Sequence, residues 1–221
     1  MIARVLHHYP KIKICGLTNW RDAAVAVEAG ADALGFVLYP GSKRFIEPAK
    51  VAEWFADIPP FIDKVAVTVN EPETYLQQLV EEYHFDYIQL HGDETPGFCR
   101  QLARKIPNLI KALGVKEGEM LPEAATFGVR AILLDAVKPG QYGGTGATFD
   151  WAQAVQFCAS NPKTPLILSG GLHAENVEAA IRAVRPFAVD VASGVETSPG
   201  KKSHEAIFQF VEAARSASRP T

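Results

Sequence analysis

Few side chains can move a proton or grip an anion near neutral pH, and in this sequence several of them directly follow short apolar runs. Cys15 closes Lys11-Ile12-Lys13-Ile14-Cys15, and Asp135 closes Ile132-Leu133-Leu134-Asp135. A thiolate is a base, but at an ordinary pKa of about 8.5 only a few per cent of a free thiol is ionised at neutrality. Cys15 therefore needs cationic help, and Lys13 and Lys111 are the candidates. A carboxylate after three apolar residues is solvated at a strand end, paired or functional. To donate a proton it needs partial burial beside apolar walls, which raises its pKa. Asp190 interrupts Ala188-Val189-Asp190-Val191 and reads either as a ligand-facing acid or as a paired structural one. His91, in Gln89-Leu90-His91-Gly92, can orient a loop through its ring or touch a ligand. Arg44 lies in the basic loop Tyr39-Pro40-Gly41-Ser42-Lys43-Arg44-Phe45. Its guanidinium can clamp a carboxylate bidentately, and the plain alternative is a solvated arginine.

Three glycine clusters add an anion-binding element. Ser169-Gly170-Gly171 and Ser193-Gly194 each follow an apolar run, and such turns bare backbone N–H groups that hold phosphate beside a helix start. Taken singly, each is only a tight turn. Gly143-Gly144-Thr145-Gly146 follows Asp135 and is placed to close over the same group. Gly194 to Lys201 does not have P-loop spacing, and Lys202 separates Lys201 from Ser203, so nucleoside triphosphate hydrolysis is excluded. The six histidines are scattered, with no His-x-x-x-His and no Cys-x-x-Cys, so no metal site is expected.

These residues need a frame that brings strand ends together. Candidate strands are Lys11–Cys15, Ala33–Leu38, Val65–Val69, Tyr87–Leu90, Leu109–Leu113, Ala131–Leu134, Leu166–Leu168 and Ala188–Val191, mostly apolar, as strands buried on both faces are. Helical spacing lies between them: Trp20–Ala29, Glu73–Tyr83 with Leu76, Leu79, Val80 and Tyr83 on one stripe, and His204–Ala214. Proline in the first turn after Glu71 and Thr95, Ser203 as an N-cap and Gly30 as a C-cap mark helix ends. Eight strand-then-helix units without Gly-x-Gly-x-x-Gly after the first favour a single-domain (βα)8 TIM barrel over an open doubly wound sheet. The barrel is expected over residues 11–217, with an N-terminal extension at 1–10 and a tail at 218–221. In such a barrel the active site lies at the C-terminal ends of the strands, where Cys15, His91, Asp135 and the glycine turns fall.

Composition narrows the class further. A length of 221 residues with 48% apolar and 21% charged residues supports one large core and excludes a disordered chain. With 22 basic and 25 acidic residues the net charge is -3, which suggests neither a nucleic-acid partner nor a polybasic membrane contact. Three scattered cysteines build no disulfide framework, and no segment reaches the length of a spanning helix or a secretory signal. A cytoplasmic protein is expected, either monomer or homodimer; Cys99 and Cys158 read as buried apolar residues.

Lys13-Ile14-Cys15-Gly16-Leu17-Thr18, Tyr39-Pro40 with Ser42 and Arg44, Gln89-Leu90-His91-Gly92, Leu134-Asp135, Gly143-Gly144-Thr145-Gly146, Phe149-Asp150-Trp151, Leu168-Ser169-Gly170-Gly171-Leu172 and Val189-Asp190-Val191-Ala192-Ser193-Gly194-Val195-Glu196 together resemble the phosphoribosylanthranilate isomerase family. They run in order through nearly the whole chain. The resemblance implies an Amadori rearrangement of N-(5-phosphoribosyl)anthranilate in tryptophan biosynthesis, without metal or cofactor. It implies Cys15 as general base, Asp135 as general acid, Arg44 on the anthranilate carboxylate and the glycine turns on the phosphate. Ala192, Ser203 and His173-Ala174 depart from the more usual serine, aspartate and Asn-Pro at those positions. Other phosphosugar isomerase or epimerase barrels, and a non-catalytic phosphate-binding barrel, are the alternatives.

Overall fold

The computed structural model describes residues 10–116, 119–136 and 150–217. Residues 1–9, the tail at 218–221 and the cluster Gly143, Gly144, Thr145 and Gly146 lie outside the described residues. Eight parallel strands close on themselves: β1 (Lys11–Cys15), β2 (Ala33–Val37), β3 (Asp63–Thr68), β4 (Tyr87–Leu90), β5 (Leu109–Val115), β6 (Ala131–Ala136), β7 (Leu166–Leu168) and β8 (Ala188–Val191). β8 pairs with β1, with Lys13 beside Asp190, so the two ends of the chain meet in one ladder. The described helices are α1 (Trp20–Ala29), α2 (Pro48–Ala52), α3 (Glu73–Glu81), α4 (Pro96–Leu102), α5 (Trp151–Ser160), α6 (Val177–Val184) and α7 (His204–Ser216). None is long and apolar enough to cross a membrane.

The helix signals act as their chemistry requires. The Asn19, Thr95 and Ser203 side chains accept hydrogen bonds from the N–H groups of Asp22, Phe98 and Ala206. Gly30 ends α1 at φ 97°, where a Cβ would be strained. Pro72 is the N-cap of α3 rather than a first-turn residue, so that helix starts one position later than its proline suggests. The fifth unit also departs from the expected repeat. Between β5 and β6 the described residues hold only a 3-10 turn, Ala124–Thr126. Pro122 and Gly128 leave too little uninterrupted chain there for an α-helix.

Strand alternation decides what enters the barrel. Ile12, Ile14, Leu34, Phe36, Ile88, Leu90, Ile132, Leu134, Val189 and Val191 pack outward beneath the helices. Val65, Ile110, Ala112, Ala131, Leu133, Ile167 and Ala188 fill the barrel interior. The interior set is small, and polar side chains of the same parity continue it towards the strand ends: Lys13, Cys15, Gln89, Asp135, Ser169 and Asp190, all buried.

Candidate active site

At the C-terminal end of the strands lies a cavity of about 700 Å³, counting its open mouth. Its wall takes Cys15 from β1, Arg44 from the loop after β2, Gln89 and His91 from β4 and its end, Asp135 from β6, Gly170 and Gly171 after β7, and Asp190 and Ser193 from β8 and its turn. In the ring of eight, β8 and β7 stand between β1 and β6, so Cys15 and Asp135 face the cavity from nearly opposite walls.

Cys15 is buried, and burial pushes its thiol above the ordinary range. Lys13 acts against that shift through its charge and a hydrogen bond, and Lys202 adds a smaller pull; Asp190 pushes the other way. The Lys13 ammonium is itself fixed. Burial disfavours its charge, but Asp190 at 2.7 Å and Cys15 outweigh burial and hold its pKa above the usual lysine value. Asp190 also accepts from the Ser169 hydroxyl at 3.2 Å, so it is paired while still lining the cavity. Lys111 does not help the thiol. Ile110 and Ala112 face the barrel interior, so Lys111 points into the helix layer, where it meets Glu94 at 2.8 Å and the Leu90 and Gly92 carbonyls. Burial pushes the Cys99 thiol on α4 up to about 11.

Arg44 already holds a carboxylate, and it belongs to the chain. Its Nε and Nη2 donate to Glu196 at 2.8 and 2.7 Å. That occupies the side-on edge of the guanidinium, so an incoming carboxylate is left the end-on edge carrying Nη1. The Glu196 hydrogen bonds, ahead of the opposing effect of burial, hold Arg44 above the usual arginine value. Burial favours the neutral acid at Glu196, but Arg44 and Lys202 overcome it and lower the carboxyl's pKa. Lys202 Nζ, with a fully buried side chain, reaches Glu196 at 2.9 Å, the Cys15 carbonyl at 2.5 Å and the Ala192 carbonyl at 3.0 Å. It ties the ends of β1 and β8 together, although burial leaves its own pKa below the usual value. Gly16 makes the Arg44 approach possible, since a Cβ there would lie 2.5 Å from Arg44 Cδ at a φ of 75°.

On the facing wall, Asp135 Oδ1 accepts from the Ala136 N–H at 2.9 Å and Oδ2 faces His91 Nε2 at 3.4 Å. His91 Nδ1 meets Gln89 Nε2 at 2.8 Å. The two glycine turns differ in what glycine does. Gly170 and Gly171 adopt φ of 85° and 61°. Gly194 gives room instead: a Cβ there would sit 1.9 Å from the Leu172 carbonyl oxygen. Asn176 braces the turn, accepting from the His173 N–H at 2.9 Å and donating to the Gly171 carbonyl at 3.0 Å. Beyond it the short 3-10 turn Ser193–Val195 starts at the cavity wall, so both turns and a helical N-terminus converge on one spot suited to an anion.

The cavity thus gathers Cys15, Arg44, His91, Asp135, Gly170, Gly171, Asp190 and Ser193, with Gly194 directly beside it, while Gly143–Gly146 lie outside the described residues. No local pattern in the sequence marks Lys202 as part of the site, and Gln89 and Glu196 stand in its motifs without a role of their own. Pro199-Gly200-Lys201-Lys202 looks like an exposed turn, and only the hairpin of β9 (Glu196–Ser198) and β10 (Lys201–Lys202) folds Lys202 inward.

Comparison with known proteins adds a second line. The sequence matches the family model of N-(5'-phosphoribosyl)anthranilate (PRA) isomerase over residues 12–213. It is 49% identical over 207 residues to the N-(5'-phosphoribosyl)anthranilate isomerase of Magnetococcus marinus, covering 94% of this chain and 96% of that one. The fold superposes on the crystal structure of the Thermotoga maritima phosphoribosyl anthranilate isomerase with TM-score 0.83 at 43% identity, covering 94% of this chain and 99% of that chain. It also superposes on a phosphoribosyl anthranilate isomerase in complex with reduced 1-(o-carboxyphenylamino)-1-deoxyribulose 5-phosphate, with TM-score 0.79, 40% identity and the same two coverages of 94% and 99%. The chain belongs to the N-(5'-phosphoribosyl)anthranilate isomerase family.

Proposed function

We propose that Cys15 is the base and Asp135 the acid with which this barrel isomerises N-(5'-phosphoribosyl)anthranilate to 1-(2-carboxyphenylamino)-1-deoxyribulose 5-phosphate. The activity itself follows from membership of the family, and it is a step of tryptophan biosynthesis. The single observation that supports the assignment is the placement of a buried thiol and a buried carboxyl on opposing walls of one cavity.

Asp135 gives its proton to the furanose ring oxygen, the C1–O bond breaks, and the nitrogen lone pair forms a protonated imine. The Cys15 thiolate then removes the C2 proton, the electrons move to the imine, and the resulting enol-amine becomes the ketone as C1 takes up a proton and the C2 hydroxyl releases one. The proton gained by Cys15 balances the one lost by Asp135, so the product is an isomer and no external reductant or oxidant enters. Lys13 supports the thiolate because its ammonium is pinned by Asp190 at 2.7 Å and cannot drift away. The phosphate sits on the turns at Gly170, Gly171, Ser193 and Gly194. Arg44, its other edge held by Glu196, takes the anthranilate carboxylate end-on. Both anchors bind parts of the substrate that do not react, and so position the sugar between acid and base. His91 orients the acid, and Asp190 acts through Lys13 rather than on the substrate. Work on a small phosphorylated metabolite by a chain whose three scattered cysteines build no disulfide framework suits the reducing cytoplasm.

The test is turnover of freshly prepared substrate, followed by its loss of fluorescence. Cys15→Ser and Asp135→Asn each lower kcat by roughly 10²–10⁴-fold with little change in KM, while Arg44→Ala acts mainly on KM. Near wild-type turnover in either of the first two variants overturns the assignment.

A further inference from the structure

The cavity wall carries one buried polar atom that the mechanism does not use. Gln89 is fully buried on β4 and lines the cavity, yet its Oε1 has no hydrogen-bond partner among the described residues. Its strand neighbours in register, Val67 on β3 and Ile110 on β5, are apolar and offer the amide nothing. The amide's remaining outlet is His91, whose Nδ1 lies 2.8 Å from Gln89 Nε2.

The two contacts of His91 depend on each other. A neutral imidazole carries one N–H, an amide NH₂ only donates, and a carboxylate only accepts. With Gln89 donating to Nδ1, the imidazole proton must be on Nε2, the nitrogen that faces Asp135 Oδ2 at 3.4 Å. We infer that Gln89 is a positioning residue for the acid: it fixes His91 as the Nε2–H tautomer, so that the imidazole turns an N–H rather than a lone pair towards Asp135. The inference rests on Asp135 being the acid. When Asp135 releases its proton, the new carboxylate keeps the Ala136 N–H at 2.9 Å and has the His91 Nε2–H facing it, 3.4 Å away before any closing movement. Donors placed where charge develops favour the proton's departure. The reversed amide would place the His91 Nε2 lone pair against that carboxylate.

The two ring nitrogens are distinguished by nitrogen NMR of the histidine-labelled protein, with the His91 signals assigned from their loss in His91→Asn. The expected spectrum has His91 protonated on Nε2 and bare on Nδ1. Gln89→Glu replaces the donor by an acceptor, so the proton moves to Nδ1 and kcat falls by about tenfold or more with KM within about twofold. Gln89→Met, similar in shape, lowers kcat likewise without adding charge. A wild-type spectrum with His91 protonated on Nδ1 overturns the inference, as does full kcat in either folded variant. If a variant fails to fold, the wild-type spectrum alone decides. Normal turnover in Asp135→Asn would overturn the acid assignment instead, whatever tautomer the spectrum shows.

Discussion

Lys13→Met separates the stabilising and the catalytic work of one buried ion pair. The side chains of Lys13 and Asp190 are only 4% and 6% exposed and meet at 2.7 Å. Removing one partner of such a pair costs about 3–5 kcal/mol, because the survivor stays buried and charged. In a domain of this size that is a fall of about 6–20 °C in Tm. The same change removes the largest of the influences that favour the Cys15 thiolate, so the thiol moves further above its ordinary range. Each unit of that move lowers the thiolate fraction about tenfold at a given pH. The assay is the rate of alkylation at Cys15 against pH, read by peptide mass so that Cys99 and Cys158 do not contribute. In Lys13→Met the profile shifts to higher pH and kcat falls in proportion. The double variant Lys13→Met with Asp190→Asn regains most of the lost Tm, since no unpaired charge remains. It regains only part of the thiol's ionisation, because Lys13 lowers the thiol more than Asp190 raises it. An unchanged alkylation profile in the single variant would refute the argument.

Two further outcomes follow from the same geometry. Because burial raises the Cys15 thiol and the base must be the thiolate, kcat/KM increases with pH through neutrality into the alkaline range, and a flat profile there contradicts the role. Gly194→Ala places a Cβ 1.9 Å from the Leu172 carbonyl, so the two turns must part. Competitive inhibition by inorganic phosphate then weakens about tenfold or more, whereas Gly97→Ala, with its nearest contact at 3.8 Å, leaves it unchanged.

The positions of the strands were legible because a parallel barrel strand is a short apolar run, and Lys11–Cys15, Tyr87–Leu90, Leu166–Leu168 and Ala188–Val191 occupy the residues expected. β6 runs two residues beyond its apolar run, through Asp135 and Ala136, because ladder pairing with Gly114 and Val115 does not depend on side-chain polarity. The same apolarity concealed strand facing. Leu109-Ile110-Lys111-Ala112-Leu113 is hydrophobic on both sides, so the sequence does not tell that Lys111 turns away from the thiol, and Lys13 towards it. Arg44 was legible as a carboxylate-binding residue, but its first carboxylate is Glu196, 152 positions away in sequence. Such a partner follows from the closing of β1 on β8, which no local pattern records. Ser203 shows the opposite case: its hydroxyl caps α7 through Ala206 N–H at 3.2 Å, a role readable from its place before His204.

The most direct test is a crystal structure of the protein with reduced 1-(o-carboxyphenylamino)-1-deoxyribulose 5-phosphate bound. The phosphate oxygens should lie about 2.7–3.2 Å from backbone nitrogens of the turns at Gly170–Gly171 and Ser193–Gly194. The sugar carbons should then run between the Cys15 sulfur and the Asp135 carboxyl. A ligand anchored elsewhere, or one that leaves both side chains on the same side of the sugar, would contradict the account.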